Sequence, residues 1–220
     1  MGDFVLESMY EEKSHGSYFS TVRREVINLF PGQVEKVLEL GCGEGVTLKY
    51  IKEIGLAHWV CGVDFHNESL EKAKKNGVDK VLNIDLNSFD VNAIEDKYDV
   101  ILCMDVLEHV TDPWDVVKGL KSLLTDKGVL IASIPNVQNI RVVFPLLFGQ
   151  WSYKDCGVLD QGHLRFFTRK TAIDLITQGG FDIVKVVSLK EKHWLPKIVN
   201  LLTFNFFQRF VTVQYLIKAK

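Results

Sequence analysis

Five short apolar runs separated by helix-like segments dominate the chain between residues 34 and 136. The runs cover residues 34–40, 58–65, 80–86, 98–106 and 128–135. They are nearly continuous in apolar residues, which is typical of strands buried on both faces of a parallel sheet. Strands that alternate with helices indicate βαβ units with right-handed crossovers. The pattern therefore predicts an α/β fold built on a doubly wound sheet.

The segments between and after these runs predict the helices and the remaining strands. Asp112 is a good N-cap, and Pro113 fits the first position of the helix that follows it. We expect helices over residues 46–54, 68–75, 113–124 and 168–179, and two further strands over residues 181–189 and 212–220. Residues 136–170 form a long aromatic-rich connection, and connections of this length are usually functional lids or binding loops.

Composition narrows the classes of protein to which the chain can belong. The chain has 220 residues, 47% of them hydrophobic, and 26 Lys and Arg residues against 28 Asp and Glu residues. It has no basic excess that would indicate a nucleic-acid partner. Its N-terminus shows no apolar core of a secretory signal, and its cysteines show no CxxC spacing. We expect a cytoplasmic protein with reduced cysteines, namely Cys42, Cys61, Cys103 and Cys156.

A glycine-rich turn follows the first predicted strand. Gly41, Gly43 and Gly45 stand between that strand and the next predicted helix. Glycines permit a tight strand-to-helix turn and a close approach of a ligand. In open α/β sheets, ligands bind beyond the carboxyl ends of the strands. The turn alone is a weak signal for a nucleotide site.

Acidic residues at neighbouring strand ends strengthen that signal. Glu39 precedes the turn, Asp64 ends the second predicted strand, and Asp85 ends the third. An acid after the second strand can accept hydrogen bonds from ribose hydroxyls. Val46 stands where the dinucleotide fingerprint requires a third glycine, and Glu39 would repel a pyrophosphate, so an NAD-dependent dehydrogenase is disfavoured. Each acid taken singly is also explained by a favourable interaction with a helix N-terminus.

Four segments in order, VLELGCGEG, VDF, NIDL and YDVILCMDVLEHVTDPWDVVKGLKSLLTDKGVLIASIPN, resemble the motifs of class I S-adenosylmethionine-dependent methyltransferases. The resemblance covers residues 34–136. Within that superfamily the chain is similar to the branch of ubiquinone-biosynthesis O-methyltransferases and to small bacterial methyltransferases associated with polysaccharides. Residues 160–181 resemble the H-x-R-F-F-T segment of that branch. The resemblance implies a seven-stranded mixed sheet in the order 3-2-1-4-5-7-6, with helices on both faces.

The resemblance also implies which residues bind the cofactor S-adenosylmethionine. The methionine portion would be held by one acid and the backbone of the turn, namely Glu39, Gly41, Cys42, Gly43 and Gly45. The nucleoside would be held by residues after the second and third strands, namely Asp64 at the ribose, Phe65 against the adenine, and Asp85 and Leu86 near the adenine amino group. Met104 and Asp105 would lie near the sulfonium, and Tyr18 would cover the cofactor as a lid residue.

Two histidines and one arginine are the candidate catalytic residues. Histidine is the usual base near neutral pH, and a hydroxyl acceptor must lose its proton. His109 follows the fourth strand, and His163 lies in the segment expected to close over the substrate. Arg165 could grip a carboxylate or a phosphate. All three are equally consistent with structural roles that fix the loops. Asp160 and His163 lack further ligands nearby, so we expect no metal.

We expect one methyltransferase domain over residues 1–220. Its predicted parts are an N-terminal helical lid (1–33), a cofactor-binding core (34–136), a substrate lid (137–170) and a C-terminal part with the last helix and strands (171–220). Residues 194–211 are apolar but interrupted by polar residues, which fits either a core or dimer helix or a helix on a membrane surface.

The expected function is methyl transfer to a small polar acceptor. By resemblance, we expect an O-methyltransferase that acts on a sugar or glycan hydroxyl. The alternative is a non-catalytic cofactor-binding or scaffold protein, which would bind the cofactor without turnover.

Overall fold

The structure, a computed structural model, describes residues 21–190 and 207–220 and contains a seven-stranded sheet. The strands are β1 (Val34–Leu40), β2 (Ala57–Asp64), β3 (Lys80–Asn83), β4 (Tyr98–Met104), β5 (Leu124–Pro135), β6 (Ile183–Lys190) and β7 (Thr212–Ala219). Their order in the sheet is β3-β2-β1-β4-β5-β7-β6. Strands β1 to β5 pair in parallel, and β7 runs antiparallel to β5 and β6. The predicted fold class and strand order are confirmed.

Helices connect the strands. The α-helices are α1 (Val46–Glu53), α2 (Asn67–Lys75), α3 (Pro113–Leu123), α4 (Ile140–Leu146), α5 (Arg169–Gln178) and α6 (Gln208–Val211). Short 3-10 helices cover Arg24–Leu29, Leu86–Ser88, Val91–Ala93 and Leu107–His109. The Asp112 side chain caps α3 by accepting the backbone N–H of Asp115, with Pro113 at the first turn, as the sequence predicts.

The sheet is covered on both faces. Leu38 of β1 belongs to a buried cluster that includes Val117 of α3 and Leu175 of α5. Its neighbour Val37 belongs to a second cluster, which includes Leu48 of α1. Successive residues of a strand point to opposite faces, so a strand covered on both sides is apolar at every position. This double burial explains the continuous apolar runs.

Two predicted strand bounds are wrong by three residues or more. β3 ends at Asn83 rather than at residue 86, because the Asp85 side chain accepts the backbone N–H of Asn87 and starts a 3-10 turn there. Asp85 therefore follows the strand and does not end it. β5 begins at Leu124 rather than at Gly128, because Leu124 pairs with Tyr98 across a register shift in β4.

Two predictions fall largely outside the described residues. Tyr18 belongs to residues 1–20, and most of the segment 194–211 belongs to residues 191–206. At the end of that segment, Gln208–Val211 forms the short helix α6. Within residues 21–190 and 207–220, every helix is too short or too polar to cross a lipid bilayer.

Candidate functional site

The turn between β1 and α1 lies at the carboxyl edge of the sheet. We call residues 39–45 the glycine turn. Gly41 has a φ of +66°, and a Cβ placed on it would lie 2.7 Å from Cγ2 of Val106. A larger residue there would be strained by its backbone and would clash with the loop after β4. Gly43 and Gly45 also have positive φ values. The turn is therefore tight and closely packed against the β4 end, as the sequence predicts.

Asp64 fixes the glycine turn from the end of β2. Its side chain is buried, and its two carboxylate oxygens accept backbone N–H groups from Gly43 at 2.9 Å and from His66 at 3.0 Å. Burial raises the pKa of Asp64, and these two hydrogen bonds oppose the rise. The geometry assigns Asp64 a positioning role in the turn. Its ribose role stays a prediction, and each oxygen has a second lone pair for it.

Glu39 is the one acid of the glycine turn that carries a buried atom without a partner. It is the penultimate residue of β1, and it is only 3% exposed. Its Oε2 atom makes no hydrogen bond to a described residue. Burial raises the pKa of Glu39 to about 8, while Arg23 opposes the rise and Asp64 adds to it. A buried oxygen without a partner is costly, so a cationic ligand would stabilise it.

Asp105 follows β4 and is held by four side-chain contacts. It adopts a φ of +54°, which is uncommon for a residue other than glycine. Ser133 of β5 accepts its backbone N–H at 2.9 Å and donates to its carboxylate at 2.8 Å. Gln214 of β7 donates to the same carboxylate, and Arg23 forms an ion pair with it. Strained backbones held by several partners cluster at functional sites.

Arg23 was missed in the sequence analysis. It lies just before the 3-10 helix Arg24–Leu29, and besides Asp105 it pairs with Glu25. It also influences the titration of Glu39 and Glu108. One cation thus lies among acids contributed by β1 and by the loop after β4. An arginine next to another arginine ahead of a strand gives no sequence signal for this, since only the fold brings it to the β4 end.

The residues predicted at the adenine lie along the ends of β2 and β3. Phe65 is 38% exposed, and its carbonyl accepts from Asn83 at 2.7 Å. Asp85 is exposed, and Leu86 is half-buried against the core. An exposed aromatic beside an exposed acid can face a ring with polar edges. Met104 and Cys42 are buried in the α1 face of the core, with 7% of each exposed.

The two candidate histidines lie together, His109 in the 3-10 helix after β4 and His163 in the loop that precedes α5. Their rings are 4.7 Å apart and perpendicular. Nδ1 of His109 lies 2.9 Å from the carbonyl of Gly162, and Nδ1 of His163 lies 3.0 Å from that of Val158. A carbonyl only accepts, so each Nδ1 carries the hydrogen, and Nε2 is the basic nitrogen of the neutral ring.

Arg165 joins the same loop to the rim of β4. Its guanidinium donates to the carbonyls of Leu164, at 3.1 Å, and Thr111. The backbone N–H groups of Leu164 and Arg165 both donate to the carbonyl of Glu108. These contacts fasten the loop to residues 108–111. The anion-gripping role predicted for Arg165 stays untested, and its guanidinium is occupied by backbone carbonyls.

Glu108 is a second buried acid that the sequence analysis missed, although it stands next to His109. It is 1% exposed, and neither carboxylate oxygen makes a hydrogen bond to a described residue. Burial holds its pKa well above the usual range, and Asp105 adds to that rise. Nε2 of His163 lies 3.9 Å from Oε1 of Glu108.

The same three side chains could hold a metal ion. Donor atoms of Glu108, His109 and His163 all lie within 4.8 Å of one another. One carboxylate with two imidazoles is a ligand set that divalent metals use. The sequence analysis expects no metal, and that expectation stays a prediction.

Residues 13–186 match the methyltransferase domain family. The chain belongs to this family. A methyltransferase domain also accounts for the sheet order and for the glycine turn at the carboxyl end of β1.

Curated relatives carry the same type of name. The chain is 36% identical over 110 residues to a ubiquinone biosynthesis O-methyltransferase of Haemophilus ducreyi, covering 46% of each chain. It is 26% identical over 179 residues to one from Glaesserella parasuis, covering 76% of this chain and 75% of the relative. The chain spans about half the length of several curated relatives that it matches.

Solved structures share the fold. A SAM-dependent methyltransferase from Archaeoglobus fulgidus superposes with a TM-score of 0.69 at 21% identity, covering 97% of this chain and 99% of that one. An S-adenosylmethionine-dependent methyltransferase from Mesorhizobium loti gives a TM-score of 0.64 at 17% identity, covering 89% of this chain and 95% of that one. At these identities the likeness concerns the fold of the methyltransferase domain.

Proposed function

We propose that this methyltransferase domain binds S-adenosylmethionine at the glycine turn and transfers its methyl group to an oxygen of a small polar acceptor. The observation that carries the proposal is the buried Oε2 of Glu39, which has no partner among the described residues. An amino acid ammonium group would satisfy it. The names of the curated relatives support O-methylation.

The residues around the turn fit such a cofactor. The amino acid end of the cofactor carries one ammonium group and one carboxylate. Glu39 offers a negative charge for the ammonium group, and Arg23 offers a positive charge for the carboxylate. Asp105, next to Arg23, adds negative charge on the side where a sulfonium would lie. The exposed face of Phe65 is available to an adenine ring.

The protein's part in the reaction is positioning and proton removal. Bound S-adenosylmethionine supplies a methyl group already activated by the positive sulfur. The rigid turn and the held Asp105 fix one reaction partner, and good positioning is worth up to about 7–11 kcal/mol. Nε2 of His109 is the better candidate base, because His109 is half-buried whereas His163 is buried against Glu108. We favour a sugar or glycan hydroxyl as the acceptor.

One observation favours the non-catalytic alternative. Nδ1 of His109, Nδ1 of His163 and the guanidinium of Arg165 each contact backbone carbonyls. Residues that serve only to fasten a loop would show the same contacts. The alternative predicts that the protein binds the cofactor and never releases S-adenosylhomocysteine with any hydroxyl acceptor.

Calorimetric binding of S-adenosylhomocysteine tests the cofactor site. Glu39→Gln removes the charge of the buried carboxyl and should weaken binding about 10–100-fold, since a hydrogen bond to a charged group contributes about 1.5–3 kcal/mol. Glu53→Gln, at the exposed end of α1, is the matched control and should bind as the wild type does. Equal affinity in both variants would remove Glu39 from the site, and no binding by the wild type would end the proposal.

A further inference from the structure

A cavity of about 490 Å³ lies beside the carboxyl end of β5, away from the glycine turn. The first turn of α5 forms one wall, and Gln138 and Arg209 form others. The backbone N–H of Val137 donates to the carbonyl of Phe167 at 2.9 Å, which holds the start of α5 against the β5 end. The cavity is therefore part of the fixed edge of the sheet.

The charge of this cavity is positive. Arg169, Lys170 and Arg209 line it, against a single acid, Asp174, among its described residues. The guanidinium of Arg209 also lies 5.0 Å from the ring centroid of Phe210. The backbone carbonyl of Arg209 accepts a hydrogen bond from the Asn136 side chain at 2.7 Å. Three cations grouped around one opening favour an anionic ligand.

The cavity adjoins the region where an acceptor must lie. β5 pairs with β4, and Ser133 of β5 holds Asp105 at the β4 end. Neighbouring strands are about 4.8 Å apart, so the cavity is one strand removed from Asp105. A molecule with its reactive hydroxyl near the β4 end can extend its remaining part to this cavity.

A buried hydroxyl lies within electrostatic reach of the same cations. Tyr215 of β7 is 1% exposed. Burial raises its pKa, whereas a hydrogen bond with Thr212 and the charges of Arg169 and Arg209 oppose the rise. The two arginines of the cavity therefore act on the same side chain of β7.

Phosphate oxygens match this set of groups. Guanidinium groups bind phosphate in a bidentate manner, and lysine adds a point charge. α5 has ten residues, and the Thr168 side chain already accepts the backbone N–H of Thr171. The N–H groups of Arg169 and Lys170 are the ones without a partner within the helix. Such N–H groups favour phosphate.

We propose that the cavity formed by Arg169, Lys170 and Arg209 binds a phosphate or pyrophosphate group carried by the methyl acceptor, an inference that rests on the proposed function. The acceptor class is then a phosphorylated hydroxyl compound, such as a nucleotide-linked sugar or a lipid-linked one. The role of gripping an anion lies with these cations rather than with Arg165, whose guanidinium contacts backbone carbonyls.

Calorimetric titration with inorganic pyrophosphate tests the site directly. The double variant Arg169→Gln/Lys170→Gln changes two exposed side chains and should weaken binding at least tenfold. The control Lys118→Gln/Lys127→Gln removes the same charge from exposed positions on α3 and β5 and should change affinity less than twofold. Both variants should bind S-adenosylhomocysteine as the wild type does.

Two further ligands distinguish the source of the phosphate. Uridine diphosphate glucose represents a soluble acceptor, and phosphatidylcholine vesicles containing phosphatidic acid represent a lipid one. If the wild type binds one of these two ligands and Arg169→Gln/Lys170→Gln does not, the site is supported and the source of the phosphate is identified. No binding of pyrophosphate by a wild type that binds S-adenosylhomocysteine overturns the inference alone, as does equal weakening in the control. Failure to bind S-adenosylhomocysteine overturns the proposed function instead.

Discussion

The glycine turn and the lid, which we define as residues 137–168, are held in place by different kinds of contact. In the turn, Gly43 donates to Asp64, 21 positions later and within one βαβ unit. In the lid, His109 contacts the carbonyl of Gly162, 53 positions later. The turn is fixed by backbone geometry and packed strands. The lid is fixed by a few hydrogen bonds to the loop after β4, some from its own backbone and some from the side chains of His109 and Arg165.

The exposure of side chains also differs between the glycine turn and the lid. Cys42 is buried in the turn, whereas Leu147 and Phe148 of the lid are 75% and 69% exposed. Segments with few buried apolar contacts open locally at a lower free energy than core elements. The comparison indicates a rigid half and a more loosely attached half of the candidate site, which under the proposed function would bind the cofactor and the acceptor.

The largest expected effect comes from breaking the rigid half. Gly41→Ala should lower the free energy of unfolding by about 2–5 kcal/mol, because a left-handed φ costs an alanine about 1–2 kcal/mol and overpacking costs about 1–3 kcal/mol more. Urea denaturation measures this change. We also expect a loss of S-adenosylhomocysteine binding.

Gly55→Ala is the matched control for that variant. Gly55 has a similar φ of +71°, but a Cβ there would have no heavy atom within 4 Å. It should show only the backbone cost and normal cofactor binding. If Gly41→Ala is no more destabilised than Gly55→Ala, the turn is not packed as described and the contrast with the lid fails.

The same contrast explains what the sequence could predict. The strands and the glycine turn follow from local patterns, because burial on both faces and positive φ values leave marks on consecutive residues. The strand order was implied by the resemblance to methyltransferases and not by these patterns. One strand bound that these patterns did not predict is the end of β3, because the side chain of Asp85 caps a 3-10 turn there. The apolar residues on both sides of Asp85 made this turn look like a continuation of the strand.

Contacts between distant segments could not be predicted. Arg23 reaches Asp105 only because the fold places the N-terminal 3-10 helix beside the β4 end. Gln214 reaches the same carboxylate only through the antiparallel β7. Glu108 stands next to His109, which the sequence marked as a candidate, but the burial of Glu108 depends on the lid that packs against it.

A smaller effect concerns the protonation of Glu39. With a pKa of about 8, Glu39 holds a proton at pH 7 that the unfolded chain, with a pKa near 4.5, has lost. The free energy of unfolding should therefore fall as pH rises from 4.5 to 8. A cationic ligand needs the ionised form, so S-adenosylhomocysteine affinity should rise about tenfold per pH unit between 6 and 7.5 and level off above 8.

Calorimetry at pH 7 in buffers of different ionisation enthalpy measures the proton directly. The wild type should release close to one proton on binding, since a group with a pKa one unit above the pH is mostly protonated. Glu39→Gln should release none, and Glu53→Gln should behave as the wild type. Equal proton release by all three proteins would show that another group titrates, and Glu39 would lose its place in the contrast.

The smallest expected effect comes from loosening the lid. His109→Phe keeps a ring but removes the contact with the carbonyl of Gly162, so the free energy of unfolding should fall by about 0.5–1.5 kcal/mol. The lid should detach before the core unfolds, and limited proteolysis should cut faster near the exposed Leu147 and Phe148. His58→Phe, at an exposed position on β2, is the control and should leave the cleavage rate unchanged.

Cofactor binding separates this variant from a general loss of stability. The glycine turn is held by Asp64, whereas the His109 ring contacts the carbonyl of Gly162, so His109→Phe should bind S-adenosylhomocysteine within about twofold of the wild type. Under the proposed function, methyl transfer should still fall, because the base and the anchor would be the same side chain. If the variant loses cofactor binding together with its lid, the two halves of the site are coupled, and the lid contributes to holding the cofactor as well as the acceptor.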